Sequence, residues 1–140
     1  GTFAYGPMDR VFRTRKWIIF IGSSVSLVSL ISLALFNEIS FNVAVFLFCT
    51  LGFFGMSYPL MIAHGRSFSP ENLTGRCVTL LNMFAIGGVG IFQFLTGRIF
   101  SKLTEVHNNN HEAYTIIFLF YASALFLGLI LYLKSKDRLD

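Results

Sequence analysis

Between Arg76 and Arg98 lie 21 consecutive residues without a formal charge, Cys77 to Gly97. At a rise of about 1.5 Å per residue, a helix over this run reaches roughly 30 Å, the thickness of a bilayer hydrocarbon core. Three further apolar runs have comparable lengths: Trp17 to Asn37, residues 38–63, and Ala113 to Leu133. The expected fold class is therefore all-α, a polytopic transmembrane helix bundle of four spans. Composition agrees, with 54% hydrophobic residues, 17 Phe and only 13% charged residues. Soluble domains carry about 25% charged residues.

The spans divide the chain. Residues 1–16 hold the end of a preceding helix, Gly1 to Met8, and then a basic loop with Asp9, Arg10, Arg13, Arg15 and Lys16. Residues 64–76, 98–112 and 134–140 are read as a loop, a second loop and a tail. Placing the first loop, the 64–76 loop and the tail on one side collects nine of the eleven basic residues there, leaving only Arg98 and Lys102 opposite. The positive-inside rule makes the richer side cytoplasmic, C-terminus included. The predicted location is the bacterial inner (plasma) membrane. The net charge of +4 does not point to nucleic acid, because the basic residues sit at span ends instead of forming a face. The same topology discounts Asn72-Leu73-Thr74 as a glycosylation acceptor. Gly1–Pro7 lacks the basic and apolar parts of a signal peptide, and the expectation is that the chain is a fragment of a longer one.

Local signals refine this outline. Ser69 can cap a helix with Pro70 at its first position and Glu71 in its first turn. Pro59 removes a backbone donor and should kink span two near its end. A kink frees carbonyls that neighbours or a ligand can satisfy. Gly22, Ser26 and Ser29 form a small-residue stripe on span one, its serines serving helix contact or bonding back to their own carbonyls. Ala124 and Gly128 make a similar pair on span four. On span three Asn82, Ala85, Val89, Gln93 and Thr96 share a face. Uncharged polar groups are costly in hydrocarbon, so this face points towards a neighbouring helix or a solute cavity. Asn82 and Gln93, with Tyr58 and Thr50 of span two, are the candidate cavity-lining residues. Pro59, Gly87, Gly88 and Gly90 are the candidate hinge positions.

Reactive constellations are missing. There is no nucleophile set, no paired carboxylate, no phosphate loop, and no Asp, Glu, Lys or Arg inside a predicted span. No enzyme activity and no cofactor are expected. His107 and His111 stand four apart, but the Asn108-Asn109-Asn110 run reads as a loop, so no metal site is expected. Cys49 and Cys77 are expected as free thiols packed as small apolar groups, and His64 as a residue of the water boundary rather than a proton carrier.

Four spans with both ends inside, an Asp-Arg loop before the first and a Ser-Pro-Glu-Asn-Leu-Thr-Gly-Arg loop before the third resemble the last third of a major facilitator superfamily transporter. The spans would be its helices nine to twelve. Asp9, Arg10, Arg15 and Lys16 match its signature loop in kind. Gly6 stands one residue too close to Asp9, the inner glycine is replaced near Arg13, and one residue is added before Arg15. The resemblance implies gating roles for Asp9, Arg10 and Arg15, and a cavity flanked by spans two and three. It also implies, as partners beyond the lipid bilayer, the N-terminal helices of the same transporter and a small-molecule solute. The alternative is a stand-alone four-helix membrane protein with a structural or assembly role. A small multidrug-type exporter is disfavoured, because its acidic residue within a span has no counterpart.

Overall fold

Among the described residues of the computed structural model six α-helices follow one another: α1 Thr2–Phe12, α2 Lys16–Leu35, α3 Phe41–Gly55, α4 Tyr58–Arg66, α5 Thr74–His107 and α6 Asn110–Leu133. A single 3-10 turn, Glu71–Leu73, precedes α5. The structure describes residues 1–36, 40–107 and 110–138; for Asp9, Arg10, Val106, His107 and Asn110 it describes the backbone alone. No strand occurs among the described residues. Four helical segments are long and apolar enough to cross a membrane: Lys16–Leu35, Phe41–Arg66, Glu71–Glu105 and His111–Leu133. The chain is thus an all-α bundle with four candidate spans, as its hydropathy predicts.

α2 is the central helix, packed against α3 and α6. Its buried face is built of small residues, Gly22, Ser23, Ser26 and Ser29, with Ile19 and Ala34. Both readings of the stripe hold together. Ser26 Oγ donates to the Gly22 carbonyl at 3.1 Å and Ser29 Oγ to the Val25 carbonyl at 3.0 Å. Each hydroxyl is therefore satisfied within its own helix while the backbone lies close to its neighbours. α6 packs in turn on α5 through Phe92–Tyr121 and Phe100–Tyr114 ring contacts. α4 packs on α5 and α1. The buried apolar cluster of Tyr5, Ile19 and Leu60 joins α1, α2 and α4 near the loop end of the bundle.

Several boundaries differ from the sequence reading. Helix α1 runs on to Phe12, so most of the expected basic loop is helical, and the chain turns at Arg13 with φ 49°. Span two is two helices, broken at Met56 and Ser57 with Pro59 in the first turn of α4. The proline cannot donate to the Gly55 carbonyl and its ring crowds that carbonyl, so the helix restarts instead of bending. Ser69 is not an N-cap: Pro70 holds the extended conformation of the cap position, and Glu71 begins a 3-10 turn. α5 continues ten residues beyond the predicted span, through Arg98 and Lys102 to His107, where a loop was expected. At 34 residues it measures about 50 Å, longer than a hydrocarbon core of roughly 30 Å, so a helix crossing the bilayer carries these charges beyond it. Gly128 faces no neighbour, and Ala122 and Leu129 form the buried side of α6 instead. Cys49 is exposed, against expectation, and Cys77 is half-buried. The predicted turn at Glu38 and Ile39, and Asn108-Asn109, lie outside the described residues.

Candidate functional site

The four residues expected to line one cavity fall in three places. Tyr58 and Asn82 meet each other: the Tyr58 hydroxyl donates to Asn82 Oδ1, linking the start of α4 to α5. Thr50 opens onto a groove of about 620 Å³ between α2 and α3, and its hydroxyl is spent on the Phe46 carbonyl at 2.8 Å. Gln93 is exposed and lines a cleft of about 550 Å³ between α2, α5 and α6, with Leu30, Val89, Phe92 and Tyr121. It also borders a second cleft on the outer half of α5, with Arg98 and Lys102. The helix is continuous through Gly87, Gly88 and Gly90, and no neighbouring group lies within 4 Å of a side chain built at any of the three. None of the described large apolar side chains of α5 is buried: Met83, Phe84, Ile86 and Ile91 are each more than half exposed.

A second constellation lies where α1 turns into α2, and the sequence reading did not single it out. The first N–H groups of a helix have no partner within it, and the N-cap residue of α2, Arg15, makes no side-chain cap. The tail supplies one. Asp137 Oδ1 accepts the backbone N–H of Arg15 at 3.2 Å and of Lys16 at 3.1 Å, while Oδ2 accepts the Thr14 hydroxyl. A carboxylate placed there also meets the positive end of the helix dipole. Lys16 returns the favour to α6, its Nζ donating to the carbonyls of Leu133 at 2.7 Å and Ser135 at 2.6 Å. The Leu133 carbonyl is one that the C-terminus of α6 leaves unpaired, and Ser135 lies just beyond it. Each of the two helices is therefore capped by a charged group from the other's end.

His64 completes the clasp from α4. It is 2% exposed. Its Nε2 lies 3.0 Å from the Lys136 carbonyl and its Nδ1 2.7 Å from the Tyr132 hydroxyl. A carbonyl can only accept, so Nε2 carries the proton. Nδ1 faces the Tyr132 hydroxyl, so both ring nitrogens are engaged. Phe68 packs edge-on against the imidazole, and the Arg138 guanidinium lies 5.1 Å from the Phe68 ring centroid. Burial pushes the Asp137 carboxyl up, but the Thr14 hydroxyl, the Lys16 and Arg15 N–H groups and nearby His64 outweigh it. The carboxyl is held below its ordinary value.

Of the predicted gating residues, Arg15 enters this clasp through its backbone. The side chains of Asp9 and Arg10 lie outside the described residues, and their backbones belong to α1. His64, in the last turn of α4, is buried within the protein rather than exposed to solvent. The only sequence signal for the clasp was a carboxylate, Asp137, set among Lys134, Lys136 and Arg138. Among the described residues no group of three His, Cys, Asp or Glu is placed to hold a metal ion. Comparison with protein-family models, with curated proteins and with solved structures gave no match.

Proposed function

We propose that the chain forms the last four membrane spans of a solute transporter of the alternating-access type, as in the major facilitator superfamily, with its C-terminal tail in the cytoplasm. The observation that carries this reading is Gln93. It is a polar side chain in the middle of an apolar helix, exposed, and bordering a cleft of otherwise apolar and aromatic residues. A bare amide in hydrocarbon is unfavourable, so Gln93 calls for a wet cavity or for further helices. The paired Tyr58 and Asn82 on the adjoining stretch give the same side a second polar contact. The lining of the Gln93 cleft carries no charge, which favours a neutral or amphipathic solute.

No described side chain of α5 is fully buried, which also favours a second reading, a four-span subunit that docks on another membrane protein without moving a solute. Labelling separates the two. Gln93→Cys, in a chain whose Cys49 and Cys77 are replaced by Ser, should react in native membranes with a water-soluble maleimide, and saturating solute should slow it. A residue 93 thiol that reacts only with a membrane-soluble reagent would sink the transporter reading and leave the docking one.

A further inference from the structure

A groove of about 250 Å³ runs between α1, α2 and the end of α3, and its surface is apolar throughout. Met8 and Phe12 line it from α1, Trp17, Ile18 and Ile21 from α2, and Phe53 from α3. It begins at Thr14, where the chain turns, and reaches Gly22. From Lys16 to Gly22 that is about 9 Å along the helix axis. At its mouth Phe12 and Trp17 are 63% and 50% exposed. Trp17, with Lys16 Nζ 5.6 Å from its ring centroid, occupies the usual station of an interfacial aromatic. The groove therefore opens at the membrane boundary and runs inward along a span.

The mouth is strongly basic. The segments 13–16 and 134–138, which the clasp brings together, hold Arg13, Arg15, Lys16, Lys134, Lys136 and Arg138 against one carboxylate, Asp137. Arg13 lies between two lining residues, Phe12 and Thr14, and its side chain is exposed. We propose that the groove binds one acyl chain of an anionic phospholipid, with the headgroup phosphate held at Arg13. An apolar channel of acyl-chain character ending at a cluster of cations matches the two ends of that molecule, whereas a zwitterionic lipid brings its own ammonium, which offsets its phosphate and would be repelled by the basic mouth. The inference rests on the membrane character of the chain and does not depend on transport.

Trp17 is the single tryptophan of the chain and lines the groove, so its fluorescence reads the site directly. The 140-residue chain is reconstituted in phosphatidylcholine vesicles containing phosphatidylglycerol, with one lipid or the other dibrominated on its acyl chains. At equal mole fraction the brominated anionic lipid should quench Trp17 more strongly, with an apparent preference of about fivefold per basic side chain engaged. Arg13→Asn, which suits the left-handed backbone there, should abolish the preference, whereas Arg76→Gln, an exposed basic position outside the mouth, should leave it. Ile21→Phe, at a position 58% exposed, fills the groove and should lower quenching by both lipids. Quenching that tracks mole fraction whatever the headgroup would overturn the proposal. So would equal losses in Arg13→Asn and Arg76→Gln, which would reduce the effect to surface potential, or quenching that Ile21→Phe leaves intact.

Discussion

Asp137 accepts the backbone N–H of Lys16 at 3.1 Å, and the side chain of Lys16 donates to the carbonyl of Leu133, the last residue of the helix that delivers Asp137, and to that of Ser135 just beyond it. The first and last spans thus exchange caps. α2 and α6 also pack along their lengths, so the clasp seals an interface that small residues and apolar contacts already make. Disrupting either cap should loosen the tail before it unfolds the bundle.

Asp137→Asn keeps the shape of the side chain and removes its charge. Because the carboxyl is largely exposed, the loss should be about 1 kcal/mol, at the low end for charge-assisted hydrogen bonds. It should appear as faster amide exchange at residues 15–17 and faster trypsin cleavage after Lys134 and Lys136. Unaltered exchange there would show that the cap contributes nothing.

The same carboxyl sets a pH dependence. Its folded-state value lies below that of the unfolded chain, so the stabilisation is present above the unfolded value, about pH 4, and is lost as pH falls through the folded value. Tail protection followed by hydrogen exchange should be flat at neutral pH and collapse only in acid. Asp137→Asn should remove this acid transition; a transition that persists in the variant belongs to another group.

Tyr132→Phe deletes the hydroxyl that reaches buried His64 Nδ1 and leaves a ring nitrogen without a partner. The cost should be about 1–3 kcal/mol, the range for an unsatisfied buried polar group. The midpoint of thermal unfolding in detergent reads it. His64→Phe in the Tyr132→Phe background should recover part of the loss, since replacing both partners removes the orphan; no recovery would mean that the pair is not coupled.

A methyl group at Gly22 would run into the Tyr5 hydroxyl, which donates to the Phe54 carbonyl at 3.3 Å. Gly22→Ala should therefore destabilise by about 1–3 kcal/mol through overpacking. In a Tyr5→Phe background the penalty should shrink, because the colliding oxygen is gone. Equal penalties in the two backgrounds would place the cause in another contact.

In the membrane a hydrogen bond between helices contributes about 0.6 kcal/mol on average. Tyr58→Phe and Asn82→Leu should each show a loss of that order, with a double variant little worse than either alone. Additive losses would mean that the two side chains act separately and that the link between α4 and α5 lies elsewhere.

The spans were legible in the residues because hydropathy is a running property of neighbours along the chain. Twenty-odd apolar residues bounded by Lys16, Arg66 or Lys134 declare a crossing helix whatever surrounds them. Proline chemistry likewise located the break before Pro59 to within a few residues. The ends of α1 and α5 were not legible. Charged and polar residues such as Arg98, Lys102 and Glu105 read as loop by polarity, yet they are good helix formers and simply prolong a helix already begun. The clasp was hidden for a different reason. Its partners are separated by 68 positions for His64 and Tyr132 and 123 for Thr14 and Asp137, and no periodicity connects residues so far apart. Whether Asp137 is a solvated tail charge or a helix cap depends on where α6 ends relative to the start of α2. Packing of the small-residue face of α2 decides that, and only the tertiary structure contains it.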